Sequence, residues 1–143
     1  MRSLIFVILI ISIVGCGEPL LIIPGGQLSG QVQAAPGAWT NVADTIQVEW
    51  RSSDPYSINI WGVGIERDLY IATAEEGTTW SEFIQTDPNA RVRLGSSLYE
   101  LKAIPVTDSD EKDKVEAAYL AKYDLDREEN WVQTGLIFRL DRR

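Results

Sequence analysis

Few side chains in this sequence can do chemistry unaided. Cys16 is the only thiol, and there is no histidine among the 143 residues. That removes the Ser-His-Asp triad, the Cys-His pair, the HExxH zinc site and any imidazole acid or base at neutral pH. The densest acidic run, Asp124, Asp126, Glu128 and Glu129, invites a calcium loop. Counted from Asp124, however, the sixth position is Glu129 where an EF-hand needs glycine. The twelfth is Gly135 where it needs an acidic ligand. The run therefore reads as a solvated loop, and no metal is expected. Glu111, Asp113 and Glu116, interleaved with Lys112 and Lys114, read as the wet face of a helix. With 13 basic against 21 acidic side chains the net charge is −8, which argues against nucleic acid, since that needs a basic footprint. Five tryptophans remain: large flat rings that either fill a core or stack on a ligand, the core being the commoner use in a small barrel.

A cysteine that ends an apolar run has a different meaning. Met1 and Arg2 supply a minimal positive start, and residues 4–14 are almost unbroken apolar sequence. That is the length of a signal-peptide core and short of the roughly 20 residues that span a bilayer. It closes in Ile13-Val14-Gly15-Cys16, which resembles the bacterial lipobox. The resemblance implies a signal peptide over residues 1–15, a diacylglycerol thioether on Cys16, further acyl chains of the palmitate type, and cleavage before the cysteine. The protein would then be held in the bacterial cell envelope, facing the periplasm or the exterior. The alternative is an ordinary secretory signal with a chance cysteine. Gly17, rather than aspartate, follows Cys16; in a cell with two membranes the resemblance favours the outer one. Losing Arg2 takes the basic count from 13 to 12, so the mature balance against 21 acidic groups is −9. Such a domain is repelled by anionic lipid, so the lipid and not a basic patch does the anchoring.

Residues 16–44 read as a Gly/Pro-rich tether in which the apolar 20–23 stretch docks on the domain or lies at the membrane surface, docking being favoured. Residues 45–143 read as one domain. Ile46, Val48 and Trp50 alternate with Gln47, Glu49 and Arg51 in a half-buried strand over 45–51. Strands follow at 56–63 and 69–73, then a short helix over 79–86 with Trp80, Phe83 and Ile84 on one side, stopped by Asp87-Pro88-Asn89. Strands at 91–94 and 98–106 flank the Gly95-Ser96-Ser97 turn. Thr107 with Asp110 suggests a capped helix to about Tyr123, with Val115, Ala118, Tyr119 and Tyr123 on one stripe. A last strand is expected over 134–140. The order β-β-β-α-β-β-α-β is mainly β (α+β), and six short strands favour a small barrel, because closure removes exposed edges.

Residues 56–106 carry a resemblance to the split-barrel flavoproteins, which include the pyridoxamine-phosphate-oxidase-like proteins and the deazaflavin-dependent nitroreductases. It rests on Asn59-Ile60-Trp61-Gly62-Val63 followed by Leu69-Tyr70-Ile71-Ala72-Thr73, then Trp80 to Pro88, then Arg91 to Gly95 and Tyr99 to Ala103. It implies a six-stranded split barrel, an FMN or deazaflavin cofactor, an oxidoreductase activity and a homodimer. Arg51, Ser52, Ser53, Thr73, Thr78 and Thr79 would form the phosphate cradle, with Asn59, Trp61 and Trp80, together with Trp50, around the ring. The same threonines and serines also read as solvated loop and strand-end residues. The sequence departs from the family in its phosphate turn, where Glu75 and Glu76 would repel the anion. Two functions follow: a membrane-anchored flavin-type oxidoreductase, or a non-catalytic split-barrel lipoprotein that binds a small ligand or an envelope partner.

The lipobox reading predicts that Cys16→Ser leaves the chain unlipidated and uncleaved at this site. Mass spectrometry and radiolabelled lipid check it, and label entering the Ser variant would overturn it.

Overall fold

The computed structural model describes residues 18–74, 77–128 and 131–143; the leader, Cys16, Glu75, Glu76 and Glu129 lie outside the described residues. The elements are β1 (Gln31–Gln33), β2 (Thr45–Trp50), β3 (Tyr56–Ile65), β4 (Asp68–Ala72), α1 (Thr79–Thr86), β5 (Asn89–Leu94), β6 (Ser97–Pro105), α2 (Ser109–Tyr123), α3 (Trp131–Thr134) and β7 (Ile137–Arg142). Strands β2 to β7 close a barrel in the order β6-β5-β2-β3-β4-β7, with β7 returning to β6. Every neighbouring pair around the ring is antiparallel. The six-stranded split barrel expected from the sequence is thus the observed fold.

Closure follows from short-range patterning. Ile46, Val48 and Trp50 alternate inward on β2 and are almost completely buried. The β3–β4 turn carries Glu66 at φ 52° and the β5–β6 turn carries Gly95 at φ 61°, the left-handed conformation that tight hairpin loops require. One core cluster contains those β2 residues with Leu69, Ile71, Trp80, Val92, Leu101 and Phe138. A second gathers Val63, Tyr70 and Ala72 beneath Val115 and Tyr119 of α2. Strand β4 therefore feeds both clusters, Leu69 and Ile71 to one and Tyr70 and Ala72 to the other.

Three local departures from the sequence reading have physical causes. Helix α2 is capped one residue later than Thr107, because the Asp108 carboxylate accepts the Glu111 N–H at 2.8 Å. The last strand begins at Ile137, after the single turn α3. There the chain bends at Gly135, where an added Cβ would lie 2.1 Å from the Thr73 carbonyl oxygen. The third departure is the segment before β2, which is bound to the barrel. Strand β1 adds in parallel to the start of β6, Gln31 opposite Ser97. Leu28 and Trp39 are buried, and the Trp39 backbone crosses Gly64 so closely that a Cβ there would sit 1.9 Å from its oxygen. Beneath this segment the carboxylate of Glu49, on the nominally polar face of β2, accepts the Leu28 N–H at 2.5 Å and the Arg91 guanidinium at 2.8 Å.

Because Leu28 is only 2% exposed, Leu28→Ala should cost about 2–5 kcal/mol, as for a core truncation. Urea unfolding of the full chain measures it; a loss under about 0.5 kcal/mol, the range of surface substitutions, would return the segment to a solvated tether.

Candidate functional site

A largely apolar open groove of about 570 Å³ has walls that include Leu21, Ile22, Asn59, Trp61, Ala74 and Trp131. Among the described residues no charged side chain lines it. Trp61 is 42% exposed and its ring stacks on Tyr123, with centroids 4.4 Å apart and planes 9° from parallel. Trp131 tilts against its edge at 6.4 Å. The last turns of α2 fix this arrangement. Tyr119 donates its hydroxyl to the Trp61 carbonyl at 3.1 Å. Tyr123 donates to the Asp44 carbonyl at 2.7 Å and accepts the Gly62 N–H at 3.0 Å. Lys122 Nζ donates to the Ala43 and Gly62 carbonyls at 2.8 and 2.7 Å. Volume, shape and lining suit a small flat apolar molecule.

The residues singled out from the sequence fall into separate places. Asn59 and Trp61 line this groove. Asn59, however, spends its Nδ2 donors on the Pro19 and Leu21 carbonyls at 3.1 and 3.0 Å, so it is not a free donor while that segment is docked. Arg51 and Ser52 line a different, polar cavity of about 300 Å³ together with Glu49, Asp87 and Arg91. There Arg51, at φ 56°, pairs with Asp54 at 3.2 Å and lies over the Phe83 ring at 4.4 Å. Ser53 is an exposed turn residue. Thr73 is buried, its hydroxyl oxygen accepting the Leu136 N–H at 2.9 Å. Thr78 precedes α1 and Thr79 begins it, and neither lines either cavity. Trp80 is stacked on Trp50 at 5.0 Å inside the barrel. Of the three tryptophans weighed for stacking, only Trp61 offers its ring to a groove. Among the described residues no group of three or more His, Cys, Asp or Glu is placed to hold a metal.

Trp131, Leu21 and Ile22 were not legible as groove residues. Trp131 had one available signal: a lone aromatic directly after the polar Glu128-Glu129-Asn130 run has to be buried or used.

With the geometry in view, the sequence matches, over residues 40–134, a family described as uncharacterized proteins conserved in bacteria (DUF2255). The chain belongs to this family. A comparison with curated proteins finds no match. Solved structures place the DUF2255 barrel among split-barrel proteins. A conserved hypothetical protein from Mycobacterium tuberculosis is similar at TM-score 0.59 and 16% identity, covering 72% of this chain and 75% of that one. An FAD-binding protein from Mesorhizobium loti is similar at TM-score 0.53 and 12% identity, covering 71% and 83%. A Listeria innocua protein assigned as a pyridoxamine 5′-phosphate oxidase is similar at TM-score 0.53 and 11% identity, covering 68% and 82%. At these identities the likeness concerns the fold alone.

Burial raises the phenols of Tyr119 and Tyr123, which lie behind Trp61 in this DUF2255 domain. Burial, reinforced by the hydrogen bond to Glu111, raises Tyr70. A phenol that holds its proton more tightly when folded contributes stability that is whole below its unfolded value of about 10 and is lost as pH climbs past it. Lys122, lowered by burial, has the opposite sign, since its buried charge is relieved as pH rises. Three groups against one, the melting temperature should hold to about pH 10 and fall beyond it. Thermal melts along an alkaline pH series measure this, and a net rise past that point would contradict it.

Proposed function

We propose that the mature protein is a bacterial lipoprotein, anchored through lipid on Cys16 and facing outward from the membrane, whose barrel binds a flat, largely apolar small molecule against Trp61. The observation that carries the reading is the presented face of Trp61, backed by Tyr123 above a groove with no charge among its described walls. An aromatic ring system gains apolar burial there together with ring stacking, roughly 0.5–1.5 kcal/mol beyond the area term.

A flavin or deazaflavin phosphate as a whole fits this site poorly. Its ring fits the groove, but its phosphate finds no cation among the groove's described residues, because Arg51 lies in the other cavity and is already paired with Asp54. Thr73 is engaged by Leu136. No redox step is derived from this chain's residues for that reason. The second reading, a flavin-dependent oxidoreductase, draws support from the fold shared with the Mesorhizobium loti FAD-binding protein. It requires a homodimer in which a second copy brings a cation to the groove.

Tryptophan fluorescence of the purified chain, titrated with lumiflavin (the ring without its phosphate tail) and with FMN, separates the two. The ligand-binding reading expects lumiflavin to bind at least as well as FMN, and Trp61→Ala to weaken it about two- to tenfold, the worth of one stacking contact. FMN bound at least tenfold tighter than lumiflavin, with a flavin spectrum in the purified protein, would establish the oxidoreductase reading instead.

A further inference from the structure

The segment that enters the barrel ends in a small apolar hairpin whose side chains point away from the core. Leu20 and Ile23 exchange both backbone hydrogen bonds, at 3.1 and 2.8 Å, around a two-residue loop. Its first residue, Leu21, sits at φ 54°. Loops of this kind favour Asn, Asp and Gly, which tolerate the left-handed conformation and water alike. Here the loop is Leu-Ile, and Leu20, Leu21, Ile22 and Ile23 are 67%, 78%, 96% and 62% exposed.

Exposure at this tip coexists with a fixed backbone. Asn59 holds the Pro19 and Leu21 carbonyls, Gly25 and Ser57 exchange backbone bonds at 2.8 and 2.9 Å, and the Glu18 carboxylate pairs with Arg93. Two more apolar side chains, Trp61 and Leu136, are each 42% exposed, and Trp61 lines the groove that Leu21 and Ile22 also line. No charged residue occurs between Glu18 and Asp44.

We propose that the 20–23 hairpin is a membrane foot: its four aliphatic side chains insert into the interfacial layer of the bilayer that carries the anchor, and so hold the mouth of the groove at the lipid surface. The position of the bilayer rests on the lipid-anchor reading above. Cys16 precedes Leu20 by four residues, which even fully extended span at most about 14 Å. The tip therefore cannot leave the neighbourhood of the headgroups, and a short tether gives it a high effective concentration there. The mature charge of −9 rules out electrostatic attraction to anionic lipid as the cause, so the contact is hydrophobic and insensitive to salt. A foot on the groove's wall also turns that groove toward membrane-dissolved molecules, which suits the apolar side chains among its described walls.

The test uses the full chain, processed by its host and extracted in detergent. Ile22→Cys places an environment-sensitive fluorophore on the tip, and Asp110→Cys places it at the far end of α2, roughly 20 Å along the helix from Tyr123. In phosphatidylcholine vesicles the label at position 22 should brighten several-fold, shift to the blue and be quenched by shallow nitroxide lipids, in low and high salt alike. The label at position 110 should stay in water. Adding Leu21→Asp should return the tip label to its aqueous emission while the chain remains in the membrane fraction. The mass of the purified chain reports separately on Cys16. An unmodified thiol there defeats the anchor reading and the foot whose bilayer rests on it, whereas a lipidated Cys16 with an aqueous tip label defeats the foot alone. The foot is refuted if the tip label behaves like the one at position 110 in vesicles. It is refuted equally if its shift needs no vesicles and grows with protein concentration, which would make a second copy the occupant.

Discussion

Strand β6 carries the constraint on which the rest of the structure depends. It is nine residues long, and its backbone has to be satisfied on both sides for the sheet to close. Along one edge it pairs with β5 from Ser97 to Lys102. Along the other, Leu101 to Pro105 pair with β7, and this is the pairing that turns an open sheet into a barrel. That leaves the first residues of β6 with an uncovered edge, and β1 fills it in parallel register. An edge strand left open is a template for pairing with another chain. The segment ahead of the barrel therefore contributes structure: it completes the sheet, and Leu28 and Trp39 go into the interior with it.

The buried charge follows from the same docking. Glu49 looks solvent-facing from the alternation of β2, yet it is 3% exposed because the 18–44 segment lies over it. A carboxylate so placed is costly unless it is paired and hydrogen-bonded. Arg91 supplies the countercharge and the Leu28 N–H a further bond. The ion pair thus joins two barrel strands to the covering segment, and it lies at the polar cavity, away from the apolar groove.

The groove in turn depends on β4 having a core residue on each face. Tyr70 and Ala72 give α2 something to pack on, and α2 then delivers Tyr119 and Lys122 to the carbonyls of Trp61 and Gly62 and Tyr123 to the Gly62 N–H. These bonds hold the Trp61 ring flat on Tyr123. The frame is the barrel fold that this chain shares with the solved split-barrel structures. The groove's described walls, none of them charged, belong to this chain's own side chains.

What the sequence determined by itself was whatever depends on neighbours a few residues apart. The alternation of Ile46, Val48 and Trp50, the helix Thr79–Thr86 and the stripe of Val115, Tyr119 and Tyr123 were legible because period and turn chemistry are local. Their number and turns also pointed to a closed barrel. The tertiary structure alone decided which aromatics were core and which were presented. Trp50, Trp61 and Trp80 are equivalent as letters, but Trp50 and Trp80 meet inside the barrel while Trp61 lies outside it on α2. It also decided that Arg51 and Trp61 line separate cavities, which spacing along the chain could not show. Glu49 and Leu28, 21 residues apart, became partners for the same reason: a contact between distant residues is set by how the sheet closes, and closure is a property of the whole chain.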